Sequence, residues 1–460
     1  MPFEGRGISA ILSIVNYDVI IVGAGPAGIF AALELAKEKG LKVLFLEMGR
    51  DITTRTRDDL FHGFGGAGAF SDGKLNLSSE VGGFLSDYAE HRKLSELISY
   101  VDGLYLKYGA PSELKGEDKS GVAALSEAAA MAGLRLVPFS IRHLGTDRCA
   151  PLLKNIRKDL DAKIEFRFNK EVKDIIVQDG TVKGVRTTDF DEFYSDFVAL
   201  SPGRVGSHWL ENVAKALGLS TTINPVDIGV RVEVPASILR SITDVVHEAK
   251  FMYNSKMFDD PVRTFCMNPY GVVVKEKYKG FCTVNGHSFS VKKSDNTNFA
   301  ILVSTTFTEP FKEPIAYGRY IASLANLLGE GIIVQRLGDL LHGRRSTKER
   351  IAKNPVKPTL LDATPGDLSF VLPYRYVCDI LEMLEVMDKV APGINSPSTL
   401  LYGVEVKFYS TRLKLTGTME TEVKNLFAAG DGAGITRGIV QASVSGIMAA
   451  RGILERMGGK

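Results

Sequence analysis

The stretch Tyr17–Glu47, YDVIIVGAGPAGIFAALELAKEKGLKVLFLE, constrains the fold more than any other part of the chain. Val19 to Val22 is an unbroken apolar, β-branched run, the pattern of a strand buried on both faces. Gly23, Gly25 and Gly28 follow at G-x-G-x-x-G spacing. Ile29 to Lys39 carries Ile29, Leu33 and Ala36 on one side and charges on the other, which predicts a helix. Gly40 predicts its end, and Lys42 to Glu47 predicts a second strand closing on an acid. Each residue type has a mechanical reason. Gly23 permits a tight turn, Gly25 lets a pyrophosphate approach the backbone at the positive end of the helix, and Gly28 lets helix and strand pack closely. Pro26 and Ala27 complete the turn. Glu47 lies 19 residues past Gly28, where an acid can accept hydrogen bonds from a ribose. Together these predict a dinucleotide site; the alternative is a plain strand–helix–strand unit with a glycine-rich turn.

The bulk of the chain narrows the class. A length of 460 residues predicts two to three domains. The 56 basic and 54 acidic residues leave a net charge of +2, which gives no electrostatic footprint for nucleic acid or an anionic membrane. Cys149, Cys266, Cys282 and Cys378 are scattered, with no C-x-x-C pair, so no redox dithiol or zinc knuckle is expected and a reducing cytoplasm is. No apolar run reaches the roughly 18–20 residues of a membrane span. Ile8 to Val15 is apolar but short, and reads as a variable start to the first strand rather than a signal peptide. His62, His208 and His287 are isolated, so no metal site is expected.

A second glycine-rich segment, His62 to Leu75, contains Gly63, Gly65, Gly66, Gly68 and Gly73. No strand precedes it and no helix follows. Its glycines predict backbone amides arranged around an anion or pressed against a flat ring, with a mobile surface loop as the alternative. Helical spacing recurs at Leu94–Tyr108, Val122–Ala129 and Leu152–Leu160, an inserted helical cover at about 84–160. Lys163 to Val172 predicts a strand, Glu171 to Thr188 a hairpin turning at Asp179-Gly180, and Ser195 to Leu200 a third strand ending in Ser201-Pro202-Gly203. From Pro225 the texture changes. Runs at 226–234, 263–274, 281–284 and 299–306 read as strands, and 315–328 and 332–341 as helices, so a second mixed domain is expected at 225–370. The helix 376–390 and strand 402–408 then read as the return to the first domain, which takes residues 1–224 and 371–460.

Near the other end of the chain, Leu426 to Ala429 predicts a short buried strand, after which Gly430 turns and Asp431 projects from the carboxyl edge where open parallel sheets bind ligands. A carboxylate there can accept from the hydroxyls of a ribityl chain. Ile435 to Met457 reads as one long helix with small residues at Gly438, Ala442, Ser443, Gly446, Ala449 and Ala450. Its N-terminus would favour negative charge on a reduced flavin. Taken together with Tyr17–Glu47, this predicts FAD.

Three motifs, VIIVGAGPAG…FLE at 19–47, FVALSPG at 197–203 and TEVKNLFAAGD at 421–431, make the chain resemble the superfamily of glutathione-reductase-type FAD proteins. More closely, it is similar to bacterial and archaeal "NAD(FAD)-utilising dehydrogenases". That likeness rests on GFGGAGAFSDGKL at 63–75, RTFCMNPYG at 263–271, VNGHSFS at 284–290 and GDGAGITRGIVQASVSG at 430–446. The resemblance implies an α/β fold, a Rossmann-like FAD-binding domain with a parallel sheet and β-meander, carrying an inserted α+β substrate domain. It implies Glu47 on the adenosine ribose with Met48 and Arg50 beside it, and Val172 facing the adenine. The cofactor would further meet Gly65, Gly66, Ala67, Gly68, Ser71, Asp72, Gly73 and Lys74, then Ser201, Pro202 and Gly203, then Gly430, Asp431, Gly432, Gly438 and Ile439. Ser201-Pro202 departs from the commoner Ala-Thr pair. The missing C-x-x-C argues against a disulfide reductase. No second strand–G-x-G-x-x-G–helix unit is seen, so NAD(P)H is expected only as a transient electron donor or acceptor.

The implied activity is that of a cytoplasmic FAD-dependent oxidoreductase moving a hydride to or from a small-molecule substrate. A flavin-dependent monooxygenase is the alternative, and an RNA-modifying or non-catalytic flavin protein a further one. Lys74 and Arg437 are the candidate catalytic residues, with Tyr409 close by in the pattern; Lys74 could hold an anionic substrate or make the flavin a better electron acceptor.

Overall fold

The structure, a computed structural model, describes residues 16–56, 59–278, 280–289, 293–311 and 313–459. The apolar start at Ile8 to Val15 lies outside the described residues. The fold is α/β with mixed sheets, and two of those sheets carry the molecule.

The first sheet runs in the order 165–168, 43–47, 16–22, 192–200, 181–187, 172–178. Glu165–Phe168, Val43–Glu47, Asn16–Val22 and Glu192–Leu200 are mutually parallel, and Leu426–Ala428 adds in parallel to the far end of Glu192–Leu200. The last two strands in the order form the expected hairpin, with Asp179 at φ 50° and Gly180 at φ 69° in its turn. Two left-handed residues in a two-residue turn match the twist of the strands they join. The consequence for the site is geometric. Val22, Glu47, Leu200 and Ala428 all end at the same edge of the sheet.

The first helix, Pro26–Leu35, differs from the amphipathic helix expected up to Lys39. Ala27 to Leu35 are all buried, Glu34 included, because the helix lies between the sheet and the last helix, Ile439–Gly458. Glu34 is tolerated there because Lys37 and Arg451 both pair with it. The last helix begins at Ile439, not Ile435. Gly434 is left-handed at φ 74° and the chain stays extended through its N-cap Gly438.

The second sheet has the order 364–365, 333–336, 400–407, 226–235, 296–305, 261–268, 250–254, 135–137. Its central strand Val226–Pro235 alternates. Ile228, Val230, Val232 and Val234 face an apolar core with the helices Ala236–Val246, Pro314–Gly329 and Tyr374–Asp388. Asp227, Arg231 and Glu233 point the other way and are also fully buried. The hairpin Val272–Tyr278 and Phe281–His287 lies over this polar face, where Asn285 accepts from Arg231 at 3.2 Å.

Several expectations are corrected here. The run 263–274 is two strands, Pro261–Asn268 and Val272–Tyr278, parted by a turn. The patch 332–341 begins as the strand Ile333–Arg336, as its β-branched residues favour, and only then turns into a short helix. The helix 376–390 and strand 402–408, read as returning to the first domain, both belong with the second sheet: Tyr374–Asp388 packs on the second core, and Leu400–Lys407 is a central strand paired with Val226–Pro235. The stretch read as a helical cover is divided. Its helices His91–Lys107 and Thr146–Asp161 pack on the first core, while Ala129, Ala132, Leu134 and Leu136 join the second.

Two buried acids give stability predictions. Arg231 donates through Nε and Nη2 to Glu405 at 2.7 and 2.6 Å, with both side chains 0% exposed. Removing one partner strands a buried charge, so Arg231→Met should cost about 3–5 kcal/mol in urea unfolding, and Arg231→Met with Glu405→Leu should recover part of it. Asp379 is fully buried, and burial with Asp260 alongside lifts its carboxyl to about 6. A raised acid pKa means the native state holds the proton longer than the unfolded chain. Stability therefore falls as pH rises from about 4 through 6. Asp379→Asn should be more stable than the parent by about 1–2 kcal/mol at pH 8, the difference vanishing toward pH 4.

Candidate functional site

The three glycines of the first turn have three different reasons. Gly23 is at φ 98°, and a Cβ there would overlap the carbonyl oxygen of Ser201. A Cβ on Gly28 would run into the Gly23 carbonyl and the Ser201 hydroxyl. Gly25 is at an ordinary φ of −76°, and a Cβ there would meet nothing within 4 Å. Packing therefore requires the first and third glycines. The second borders open space, at a helix N-terminus that no side chain caps. Uncapped amides at the positive end of a helix favour an anion.

Glu47 is held from three sides. Its carboxylate accepts from the amides of Ala24 at 2.6 Å, Gly49 at 2.8 Å and Gly63 at 2.8 Å. It thus joins the first turn, the exit of its own strand and the glycine-rich segment. The adenine side expected at Val172 is pinned to the same place, because Lys170 and Asn169 donate their amides to the carbonyls of Glu47 and Gly49. Met48 is exposed, and Arg50 reaches Asp59 at 3.8 Å.

The segment 63–75 is a packed structure, not a surface loop. Phe64 is fully buried beside Phe166 and Phe168. The Gly65 amide donates to the Ala24 carbonyl at 2.7 Å, and a Cβ on Gly66 would lie 3.0 Å from the Gly25 Cα. Gly65, Gly66 and Ala67 therefore sit across from the first turn, while a Cβ on Gly68 would face Pro26 and Ile439. Ser71 folds back on the Gly68 carbonyl, and Asp72 and Gly73 lead to Lys74. The Lys74 ammonium is buried among the Met267 carbonyl at 2.5 Å, Asn268 Oδ1 at 3.0 Å, Glu248 at 3.0 Å and Asp72 at 3.3 Å. Burial pulls its pKa down, but Cys266, Glu248 and Asp72 alongside outweigh that and raise it beyond the usual lysine range. Its donors are spent on tying the glycine-rich segment to the second sheet.

The late segment closes the site. A Cβ on Gly430 would sit 2.9 Å from the Ala27 Cβ, and a Cβ on Gly432 would sit 2.7 Å from the Gly203 carbonyl oxygen. The Gly430 amide donates to Ser445 at 2.9 Å. Ser201 hydrogen-bonds the Gly23 carbonyl at 2.7 Å, which gives the unusual serine of FVALSPG a structural use, with Pro202 and Gly203 following. Thr436 donates to Asp431 at 2.7 Å, and burial pushes the Asp431 carboxyl upward. Arg204 Nε stands 3.9 Å from Asp431, and these side chains keep 45% and 25% of their surface accessible. A Cβ on Gly203 would again meet nothing within 4 Å. Open space thus borders Gly25, Gly203, Arg204 and Asp431 along one sheet edge.

At the end of that edge the second sheet adds Asp227, Arg263 and Ser304, which the sequence reading did not single out, to the candidates Tyr409 and Arg437, which it did. Asp227 pairs with Arg263 at 2.5 Å, and accepts from Ser304 at 2.5 Å and from Tyr409. Arg263 also reaches the Tyr409 hydroxyl at 3.0 Å. Arg437 lies on the ring of Tyr409 with its guanidinium carbon 3.2 Å from the centroid. Charges alternating with valine and isoleucine along 227–233 were the available signal: a strand apolar on one side and charged on the other, in a position too central to face water.

Residues 225–408 match the model of a family described as FAD-dependent protein, C-terminal domain-like, and residues 5–53 match that of the Thi4 family. A curated uncharacterized protein from Clostridium beijerinckii is 29% identical over 476 residues, covering 95% of this chain and 80% of that one. Among solved structures, glycine oxidase from Geobacillus kaustophilus is 14% identical at a TM-score of 0.41, over 96% of this chain and 95% of that chain. L-proline dehydrogenase from P. horikoshii is 12% identical at a TM-score of 0.42, over 96% of this chain and 94% of that chain. Residues 225–408 are similar to FAD-dependent proteins, and the residues present fit such a cofactor: the turn is open where an anion would approach, and acids stand near both ends of the open edge. Among the described residues, no helix is long and apolar enough to cross a membrane.

The glycines separate folding from binding. Gly23→Ala should destabilise the protein by more than about 1 kcal/mol, because φ 98° and the Ser201 carbonyl both resist a side chain. Gly25→Val should leave the melting temperature within a few degrees of the parent's yet weaken FAD retention by at least about tenfold, read by the absorbance of protein-bound flavin after gel filtration.

Proposed function

We propose that this protein is a FAD-dependent oxidoreductase that moves a hydride between the flavin and a small molecule. The observation that carries the reading is the convergence of Gly25, Glu47, Gly203 and Asp431 at one edge of the parallel sheet, with open space at Gly25 and Gly203. The family match over 225–408 supports the same kind of protein.

In this reading the first helix holds a pyrophosphate at its uncapped N-terminus. Glu47 and the 169–172 segment stand on the adenosine side, with Met48 and Arg50 at the rim. The Asp431 carboxylate accepts from sugar-chain hydroxyls, and 65–68 with Gly432, Gly438 and Ile439 flank the ring end. The flavin, when bound, supplies hydride acceptance or donation. NAD(P)H enters only as a transient donor or acceptor. The second sheet, with its polar face toward Lys74 and Arg437, closes the substrate side. Lys74 acts there by holding the two parts in register, because its donors already have acceptors.

Purified protein should be yellow, or become so on adding FAD, at about one flavin per chain. Colourless protein after reconstitution would sink the proposal. Anaerobic bleaching against a metabolite panel then finds the reductant. A requirement for both substrate and oxygen in NAD(P)H consumption would make it a monooxygenase instead.

A further inference from the structure

Arg437 is the one candidate catalytic residue whose chemistry the fold leaves unspent. Its backbone amide donates to the Gly82 carbonyl at 2.7 Å, so its Cα is fixed. Its guanidinium lies between two rings, 3.2 Å from the Tyr409 centroid and 4.3 Å from that of Phe84. That sandwich sets the guanidinium plane. Nε and Nη2 are nevertheless buried with no hydrogen-bond acceptor among the described residues. The neighbouring acids are engaged elsewhere: Asp227 by Arg263, Ser304 and Tyr409, and Asp431 by Thr436 with Arg204 alongside. Three guanidiniums, Arg204, Arg263 and Arg437, thus share two carboxylates.

The same edge of donors is used by other arginines of this chain, most tightly on carboxylates. Nε and Nη2 fork onto the two oxygens of one carboxylate at Arg142–Asp102 with 2.7 and 2.7 Å and at Arg231–Glu405 with 2.7 and 2.6 Å, meet one oxygen of Glu420 at Arg456 with 3.2 and 2.7 Å, and at Arg55 meet the Asp59 backbone carbonyl with 3.2 and 2.7 Å. The fork matches a carboxylate in spacing and plane. We propose that Arg437 presents this edge to the carboxylate of the substrate, so that the substrates of the enzyme are small carboxylic acids. The inference rests on the flavin reading, since Arg437 precedes Gly438 and Ile439, which that reading puts at the ring end. Leaving two donors of a buried cation unmet is costly, and a carboxylate arriving there removes that cost.

The test uses FAD-loaded protein titrated with acetate, succinate and benzoate, each beside its amide and beside inorganic phosphate. The readout is the shift of the visible flavin band. At least one carboxylate should perturb the band saturably, with its amide and phosphate inert. Arg437→Gln should weaken that carboxylate at least about 100-fold, and Arg437→Lys, which keeps charge but loses the fork, about tenfold. FAD content should be unchanged in Arg437→Lys. Phosphate binding in place of carboxylates, or equal carboxylate binding by Arg437→Gln, would overturn the proposal. So would loss of FAD from folded Arg437→Lys, since the edge would then serve the cofactor. If the parent holds no FAD, the flavin reading itself has failed. Equilibrium dialysis of labelled benzoate against parent and Arg437→Lys then decides the carboxylate site separately.

Discussion

The contact on which the rest of the structure depends is the close approach of three backbones around Ala27. Gly446 of the last helix has no room for a side chain against the Ala27 carbonyl, and Gly430 has almost none against the Ala27 Cβ. Gly28, one residue on, is closed in by the Gly23 carbonyl and Ser201. Because none of these positions carries bulk, two helices and the strand end at Leu426–Ala428 reach van der Waals distance. That proximity brings Asp431, over 400 residues away in sequence, beside the first turn. A methyl group at Gly446 would collide with the Ala27 carbonyl and push the last helix away from the first.

The second sheet works by opposite means. Its helix-covered face is held by apolar burial, whereas its other face is held by charges that are buried or nearly so: Arg231 with Glu405, Asp227 with Arg263, and Lys74 with Glu248. Such pairs add little net stability compared with apolar packing of the same shape, because desolvation offsets their attraction. They do impose direction. Lys74 accepts one arrangement of Met267, Asn268 and Glu248, and so sets how the glycine-rich segment meets the sheet. The aromatic contacts of Arg437 have the same character, except that two of its buried donors meet no acceptor among the described residues.

Glu47 shows how one residue serves two levels. A carboxylate offers about four lone-pair sites, and three are filled by the amides of Ala24, Gly49 and Gly63. The expectation of a ribose partner used only spacing to the glycines. The folded chain adds a structural duty, fastening the glycine-rich segment over the first turn, and leaves about one site for a ligand hydroxyl.

Much of the fold was legible from local pattern. The strand, glycine turn and second strand of 17–47, the hairpin at Asp179-Gly180, and the short strand before Gly430-Asp431 each carry their signal within a few residues, in period, in turn chemistry and in a terminal acid. Where the expectation missed, the deciding neighbour was far away. The first helix was read as amphipathic because Ile29, Leu33 and Ala36 share one side, but a helix some 400 residues later covers its other side. Leu400–Lys407 was given to the wrong sheet because a buried strand reads alike in either. By itself, then, the sequence determined the glycine turns and the acids at the strand ends, since backbone sterics and hydrogen bonding act over short spans. Only the tertiary structure decided which sheet each strand joined, that the Lys74 ammonium meets its acceptors and that two donors of Arg437 do not, because those outcomes depend on which distant acceptors burial brings within reach.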